Sequence, residues 1–261
     1  MITAKNYVAQ AEQYLRKAKN IEPVIVQTTL DIINNSQHFA IHDGGKLLND
    51  KIKGLVNVSL NLPFDRITVE YFYPNAAISK NVIFASQDEN YIYLSCAGYF
   101  TEHDDWQFSK SIITVNRSTV CDDNGIKYDV MFPENLDEYY SEERLLLEER
   151  FNKSVSFSIF ELLEALTCRN VYTQSLDPVD ESKNRKRIAK GKMPLYETKI
   201  LVVDSTPKEI DTEWKGGTHA SPRQHLRRGH IRRYSWGNIW INNTLVGKAT
   251  NGIVEKSYVV K

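Results

Sequence analysis

The sequence predicts an α+β fold: N-terminal helices, a central antiparallel sheet, a further helical segment and a basic C-terminal β-hairpin region. Two observations carry this. Helical periodicity and strand alternation come in blocks instead of alternating along the chain, which argues against a doubly wound sheet. An Asn124-Gly125 step sits between two strand-like runs, the strongest local hairpin signal.

The elements follow in order. Residues 3–20 place Tyr7, Val8, Ala11, Tyr14, Leu15 and Ala18 at helical spacing, with Thr3 as N-cap. A second helix runs from Ile21 to Asn35 behind Pro23, with Val24, Val26, Leu30, Ile32 and Ile33 as its apolar set. Residues 38–50, HFAIHDGGKLLND, read as a loop. Its His38 and His42 stand near Asp43-Gly44-Gly45, but no spacing completes a phosphate loop. In LPFDRITVEYFYP (62–74), Ile67, Val69 and Tyr71 alternate with Arg66, Thr68 and Glu70, the signature of a half-buried strand. Glu70 reads as an exposed strand carboxylate, with a general base as the alternative. NVIFAS and YIYLSCAGYF flank Gln87–Asn90 as a hairpin, and the run through Asn124-Gly125 adds another, for about five antiparallel strands.

Residues 137–167 read as helical, with Phe157, Phe160, Leu163 and Leu166 on one side. Asp177 to Ser182 reads as a turn or linker and residues 184–199 as a basic loop broken at Pro194. KILVVD (199–204) is a strand. HIRRYS and IWIN form a short hairpin around Trp236-Gly237-Asn238, and EKSYVVK is a last strand. The expected division is an α+β core over 1–176 and a basic β region over 183–261, packed into one domain or two.

The 261 residues are 41% hydrophobic and 25% charged, ordinary for a soluble globular protein. No apolar run approaches the roughly 20 residues that a bilayer span needs, so no membrane partner is expected. The first 20 residues lack the apolar centre of a secretory signal. Cys96, Cys121 and Cys168 are scattered and odd in number, which suits reduced thiols in the cytoplasm, packed as small hydrophobes.

The formal net charge is zero, yet it hides a split. From Lys183 to Arg233 there are 14 basic against 5 acidic residues, a net of +9. The remainder of the chain therefore carries 19 against 28, a net of −9. Such asymmetry points to a polyanion-binding face, or to two regions that neutralise each other across a contact. The densest part is Gly217–Arg233, with five arginines, three of the six histidines and no acid.

His219, His225 and His230 have the count of a zinc site. The arginines around them oppose metal binding, no Cys or carboxylate is near in sequence, and no metal or cofactor is expected. Phosphate suits the set better. Arg223, Arg227, Arg228, Arg232 and Arg233 can grip paired phosphate oxygens, with His219 beside them. His225 and His230 could serve as acid and base in metal-free RNA cleavage, with Arg228 stabilising charge on phosphorus. Three readings stand: catalysis, binding alone and structure.

Between Asn184 and Lys192, five positive charges include Arg185, Arg187, Lys190 and Lys192, the composition of a backbone-tracking or merely solvated loop. Trp236 and Tyr234 could stack on bases, whereas Trp240 reads as hairpin core. The expected partner is nucleic acid, RNA ahead of DNA, or a phosphate-bearing small molecule. The alternative is a host protein.

The tail resembles a pattern found in a family of uncharacterised tailed-bacteriophage proteins. That pattern, H-x-x-P-R-x-H-x-R-R-G-H-x-R followed by Gly, Trp and Val-Gly, falls on His219, Pro222, Arg223, His225, Arg227, Arg228, Gly229, His230, Arg232, Gly237, Trp240, Val246 and Gly247. LPFDRITVEY (62–71) and NRKRIAKGKMPLYE (184–197) look like the same family. The resemblance implies a phage-encoded protein made in the host cytoplasm and carries no activity. By origin it suggests nucleic-acid processing or the disarming of host defence. The function expected is nucleic-acid or phosphate-ligand binding, extended to a metal-independent ribonuclease. The alternative is a non-enzymatic inhibitor of a host defence factor.

Overall fold

The structure is a computed structural model and describes residues 6–19, 21, 23–41, 60–74, 76–118, 127–131, 142–176, 180–204, 223–227, 230–241, 244–246 and 248–253. The fold is α+β, built on a nine-stranded mixed sheet.

Two helices lead: α1 (Tyr7–Leu15) and α2 (Pro23–Asn34). The strands of the large sheet are β1 (Gln37–Ala40), β2 (Arg66–Phe72), β3 (Ile78–Gln87), β4 (Tyr91–Phe100), β5 (Asp105–Phe108), β6 (Ile112–Asn116), β7 (Asp129–Met131), β8 (Val171–Leu176) and β9 (Thr198–Val203). Their order is β7-β6-β4-β3-β2-β1-β9-β8, with β5 also on β4. The middle is antiparallel, as the alternation requires, and both expected pairings are present: β3 with β4, and β6 with β7. The Asn-Gly turn itself lies outside the described residues.

The structure departs from several expectations. The sheet is larger than five strands and is not purely antiparallel, because β1 pairs in parallel with β2 and with β9. The presumed loop at His38 is therefore strand at its start. Parallel pairing leaves no turn signal in the sequence, so a four-residue strand reads as loop. The strand at Arg66–Phe72 is buried on both faces, not half-buried: Thr68 and Glu70 are as enclosed as Ile67 and Val69. Finally, residues 181–189 are helix, described below.

Both faces are buried because helices cover each. One core joins Ile67, Val69, Tyr71, Ile83, Ile92, Leu94 and Cys96 to Val155, Ile159, Phe160, Leu162 and Leu163 of α3 (Glu142–Leu166). The other joins Val82, Phe84, Ala97 and Trp106 to Tyr7, Val8 and Ala11 of α1 and Ile33 of α2. Successive residues of β3 alternate between the cores, as pleating demands. Phe157, expected on the apolar side of α3, is exposed.

Glu70 has neither expected role. It is 3% exposed. Its Oε1 accepts from the Asn6 N–H at 3.1 Å, and its Oε2 from those of Tyr7 and Val8 at 2.7 and 3.2 Å. The carboxylate thus caps α1, whose first N–H groups have no intrahelical acceptor. The N-cap residue is Asn6, in the left-handed region, with no side-chain cap of its own. Thr3 lies outside the described residues.

The segment expected to be a linker and basic loop holds α4 (Glu181–Ala189). Asp180 caps it, accepting from Ser182 N–H at 2.8 Å and Lys183 N–H at 3.4 Å, and these bonds lower its pKa. Gly191, at φ 66°, reverses the chain at its end. The Asn184 side chain then clamps Leu195, donating to its carbonyl and accepting from its N–H. Straight-chain basic residues favour helix, and here their charge disguised it.

The C-terminal region returns to β. β10 (Arg223–Arg227) lies between β13 (Thr244–Val246) and β14 (Lys248–Ile253), and β11 (His230–Tyr234) pairs antiparallel with β12 (Gly237–Ile241). The hairpin is present as expected, but its two-residue turn is Ser235-Trp236, and Gly237 and Asn238, expected in the turn, open β12. The strand expected at residues 255–261 lies outside the described residues. Among the described residues no helix is long and apolar enough to cross a membrane.

Candidate functional site

The β11–β12 ribbon rests on the C-terminal end of α3. Arg169 N–H donates to the Asn238 carbonyl at 3.0 Å, and Asn238 Nδ2 donates to Thr167 Oγ1 at 3.0 Å. Asn170 takes both backbone groups of Trp240: the Trp240 N–H donates to Oδ1 and Nδ2 donates to the carbonyl, each at 2.8 Å. Arg233 donates to Glu164, whose side chain is almost wholly enclosed within α3. Removing Arg233 would leave the buried Glu164 carboxylate without this cation, which costs more than breaking an exposed pair does.

Alternation along β11 separates Arg233 from Arg232. Arg233 takes the side towards α3, while Arg232 and Tyr234 fall on the other parity. The exposed Arg232 guanidinium lies 5.1 Å from the Tyr234 ring centre. Tyr234 stacks on Trp236 with centroids 4.7 Å apart and planes 15° from parallel. Arg169 stands 5.4 Å from the Trp236 ring. Four side chains thus form one ladder, Arg232–Tyr234–Trp236–Arg169, and Trp236 remains 45% exposed. Trp240 is half-buried against Asn170, in keeping with a packing role.

Gly237 is needed for the ladder. Its φ of 141° is one that other residues rarely adopt, and a Cβ there would lie 2.6 Å from Arg169 Nε. The bare backbone is what lets Arg169 reach the indole.

The remaining candidates are distributed as follows. Arg223, His225 and Arg227 lie on β10, with His225 opposite Val246. His230 opens β11, opposite Ile241. The two histidines of the expected acid–base pair therefore belong to different sheets. His219 and Arg228 lie outside the described residues. On α4, Arg185 pairs with Glu181 at 3.4 Å in full solvent, and Arg187 Nε donates to the Met193 carbonyl at 2.9 Å. Lys190 and Lys192 are exposed. No hydrogen bond or ion pair among the described residues joins α4 to β11 or β12. Among the described residues no group of three His, Cys, Asp or Glu could hold a metal ion.

A second cluster, missed in the sequence, lies under α1. Glu12 is fully buried, ion-paired to Arg16 at 2.7 Å and hydrogen-bonded by the Tyr196 hydroxyl. The Tyr196 ring packs on His38, centroids 4.3 Å apart, and His38 Nδ1 lies 2.6 Å from Thr68 Oγ1. Burial pushes His38 down to about 4, so the ring is neutral. Burial and the Glu12 contact push the Tyr196 phenol well up. These groups tie β1, β2 and the approach to β9 together, and no exposed opening is needed to explain them. Arg169 and Asn170 were also missed. They follow α3 with no sequence pattern to mark them.

The sequence model of one protein family matches residues 82–248, well over half of the chain: AcrVA2-like, described as the anti-CRISPR type V subtype A2 family. The match takes in α4, the ladder and most of the basic region, and leaves out LPFDRITVEY (62–71). The chain matches no curated protein and no solved structure.

Proposed function

The chain belongs to the AcrVA2-like anti-CRISPR family, type V subtype A2, and from that premise we propose that it is a phage-encoded inhibitor of a type V CRISPR defence, acting in the host cytoplasm by contact and not by chemistry. Family membership is the observation that carries this reading. The charge of the basic region supports one kind of contact. RNA-guided effectors hold their guide and target in positively charged channels. An inhibitor that filled such a channel in place of nucleic acid would need a negative face. The region from Lys183 to Arg233 is the reverse, net +9, and suits a polyanionic partner surface. Arg223, Arg227, Arg228 and Arg232 are the proposed contacts, supported by Arg185, Lys190 and Lys192.

The proposal is tested in bacteria carrying a type V CRISPR system that targets a plasmid. Expression of the chain should restore plasmid transformation, and replacing Arg223, Arg227, Arg228 and Arg232 together with Ala should abolish that effect. Undiminished interference in the presence of the wild-type chain would sink the reading.

The enzymatic form, in which His225 and His230 act as acid and base on RNA, makes a separate demand. Purified protein would have to cleave single-stranded RNA in EDTA and lose turnover in His225→Ala while keeping affinity. Absence of cleavage by wild-type protein removes that form and leaves inhibition by contact standing.

A further inference from the structure

We propose that the Arg232–Tyr234–Trp236–Arg169 ladder is a stacking site for the unpaired bases of a single-stranded nucleic acid. This deepens the inhibitory reading by naming the partner's chemistry, and it rests on that reading only for which strand is met in the cell.

Trp236 stands in the two-residue turn of the ribbon and is 45% exposed while its ring stacks on Tyr234. Burial is the usual use of an indole, and Trp240 on the same ribbon shows it, half-enclosed with its backbone held by Asn170. Tyr234 and Trp236 instead present near-parallel planes, 15° apart, at the outer end of the ribbon. Sequence-tolerant binders of single strands combine such planes with cations along the backbone path.

The two ends of the ladder supply the cations. Arg169 and Arg232 are both exposed, and each covers one ring at 5.1–5.4 Å. An exposed cation–π contact is weaker than a stacked base. A base can therefore displace either guanidinium from its ring, and the freed guanidinium stays within reach of the flanking phosphate. Each arginine thereby trades a ring face for an anion.

Rigidity is the third observation. The ribbon is pinned to α3 at Arg169, Asn170, Asn238 and Arg233. A platform fixed in advance pays little ordering entropy on binding. An acidic protein surface would match the charge equally well. It has no use for two stacked rings covered only by displaceable guanidinium groups, and this favours nucleic acid.

The test is direct binding of fluorescently labelled ten-nucleotide single strands, one RNA and one DNA of matched sequence, to the full chain at two salt concentrations. Wild type should bind and weaken with salt. Trp236→Ala should bind about tenfold more weakly, and Trp236→Phe should retain most of the affinity, since loss of one stacked base is worth about that much. Gly237→Ala, which pushes Arg169 off the indole, should lie between them. A matched duplex should bind less well than either strand. If RNA alone binds, the site reads the ribose; if both bind, it reads bases and phosphates. Failure of wild type to bind either strand, or equal binding by Trp236→Ala, would overturn the site. Capture of an acidic protein with no affinity for either strand would do the same. The plasmid experiment above is read separately: inhibition without strand binding condemns the ladder alone, and strand binding without inhibition condemns the anti-CRISPR reading alone.

Discussion

Asn170 holds Trp240 by both of its backbone groups, so one side-chain amide does for the ribbon what a neighbouring strand would do. Its Nδ2 also lies 3.2 Å from the Asp204 carbonyl, joining the segment after α3, the residue after β9 and β12 at one point. Asn170→Ala should cost about 1–3 kcal/mol, because it leaves backbone groups without acceptor or donor. Asn170→Asp, which keeps the acceptor and loses the donor, should cost part of that. Hydrogen exchange at the Trp240 amide should quicken in Asn170→Ala before it quickens in β3 or β4. Unchanged exchange there would show that the ribbon is held by other means.

Glu70 accepts from three successive backbone N–H groups while almost fully enclosed, so its loss strands all three. Glu70→Ala should lower stability by about 2–3 kcal/mol, read from the urea midpoint. Glu70→Gln should fall between, since an amide has one acceptor oxygen where the carboxylate has two. Wild-type stability in Glu70→Ala would mean that α1 begins elsewhere.

His38 makes stability depend on pH. Burial holds the folded ring at about 4, below the ordinary 6.5. The unfolded chain therefore takes up a proton at a pH where the folded chain refuses it. The contribution of the neutral ring is complete above about pH 6.5 and is lost as pH falls from there to about 4, by up to about 3 kcal/mol. His38→Gln has no such proton to gain. The stability difference between wild type and His38→Gln should shrink or reverse between pH 7 and pH 4.5, and parallel curves would refute the assignment.

Gly98, in β4, leaves room for its neighbours rather than for a turn. A Cβ there would meet Ile78 Cγ2 at 2.6 Å and Phe151 Cζ at 3.3 Å. Gly98→Val should cost about 1–3 kcal/mol by overpacking the contact between β4 and α3. A melting temperature within a degree of wild type would show that α3 can yield.

Cys168 is expected to react slowly despite its place beside the ribbon. Burial first, then the charge of Glu164, pushes it up to about 11, with Arg233 acting in the opposite direction. Thiolate is therefore scarce at neutral pH. Alkylation at pH 7.5, located by peptide mass, should be slow in the folded chain and fast in urea. Arg233→Ala removes the one opposing cation and should not accelerate labelling unless the ribbon detaches.

How much of this could be read in advance varied with the range of the interaction. α1, α2, the β3–β4 and β6–β7 pairings, α3, β9 and the Trp236 hairpin were legible because local periodicity and turn chemistry mark them. β1 was not, since its partners are β2 and β9 and nothing in HFA announces a parallel neighbour. β8 was missed because its exposed run shows no alternation. The helix at Glu181–Ala189 was hidden under its own charge, although Asp180 was there as a cap. At the candidate site, Arg232 and Trp236 were named from composition. The meaning of Arg233 and Glu70 depended on Glu164 and on the start of α1, more than 60 residues away, and no local pattern carries such a pairing.

The parallel partnership of Phe39 with Lys199 has a kinetic consequence. β1 sits inside the sheet, yet one of its two neighbours, β9, is the last of that sheet's described strands to be made. Loop closure over such a separation costs entropy before any contact repays it, so the transition state for folding must wait on a distant encounter. Refolding should therefore take about milliseconds to seconds and not microseconds. A chain truncated before Thr198 would display the open edge of β1, a template for aggregation.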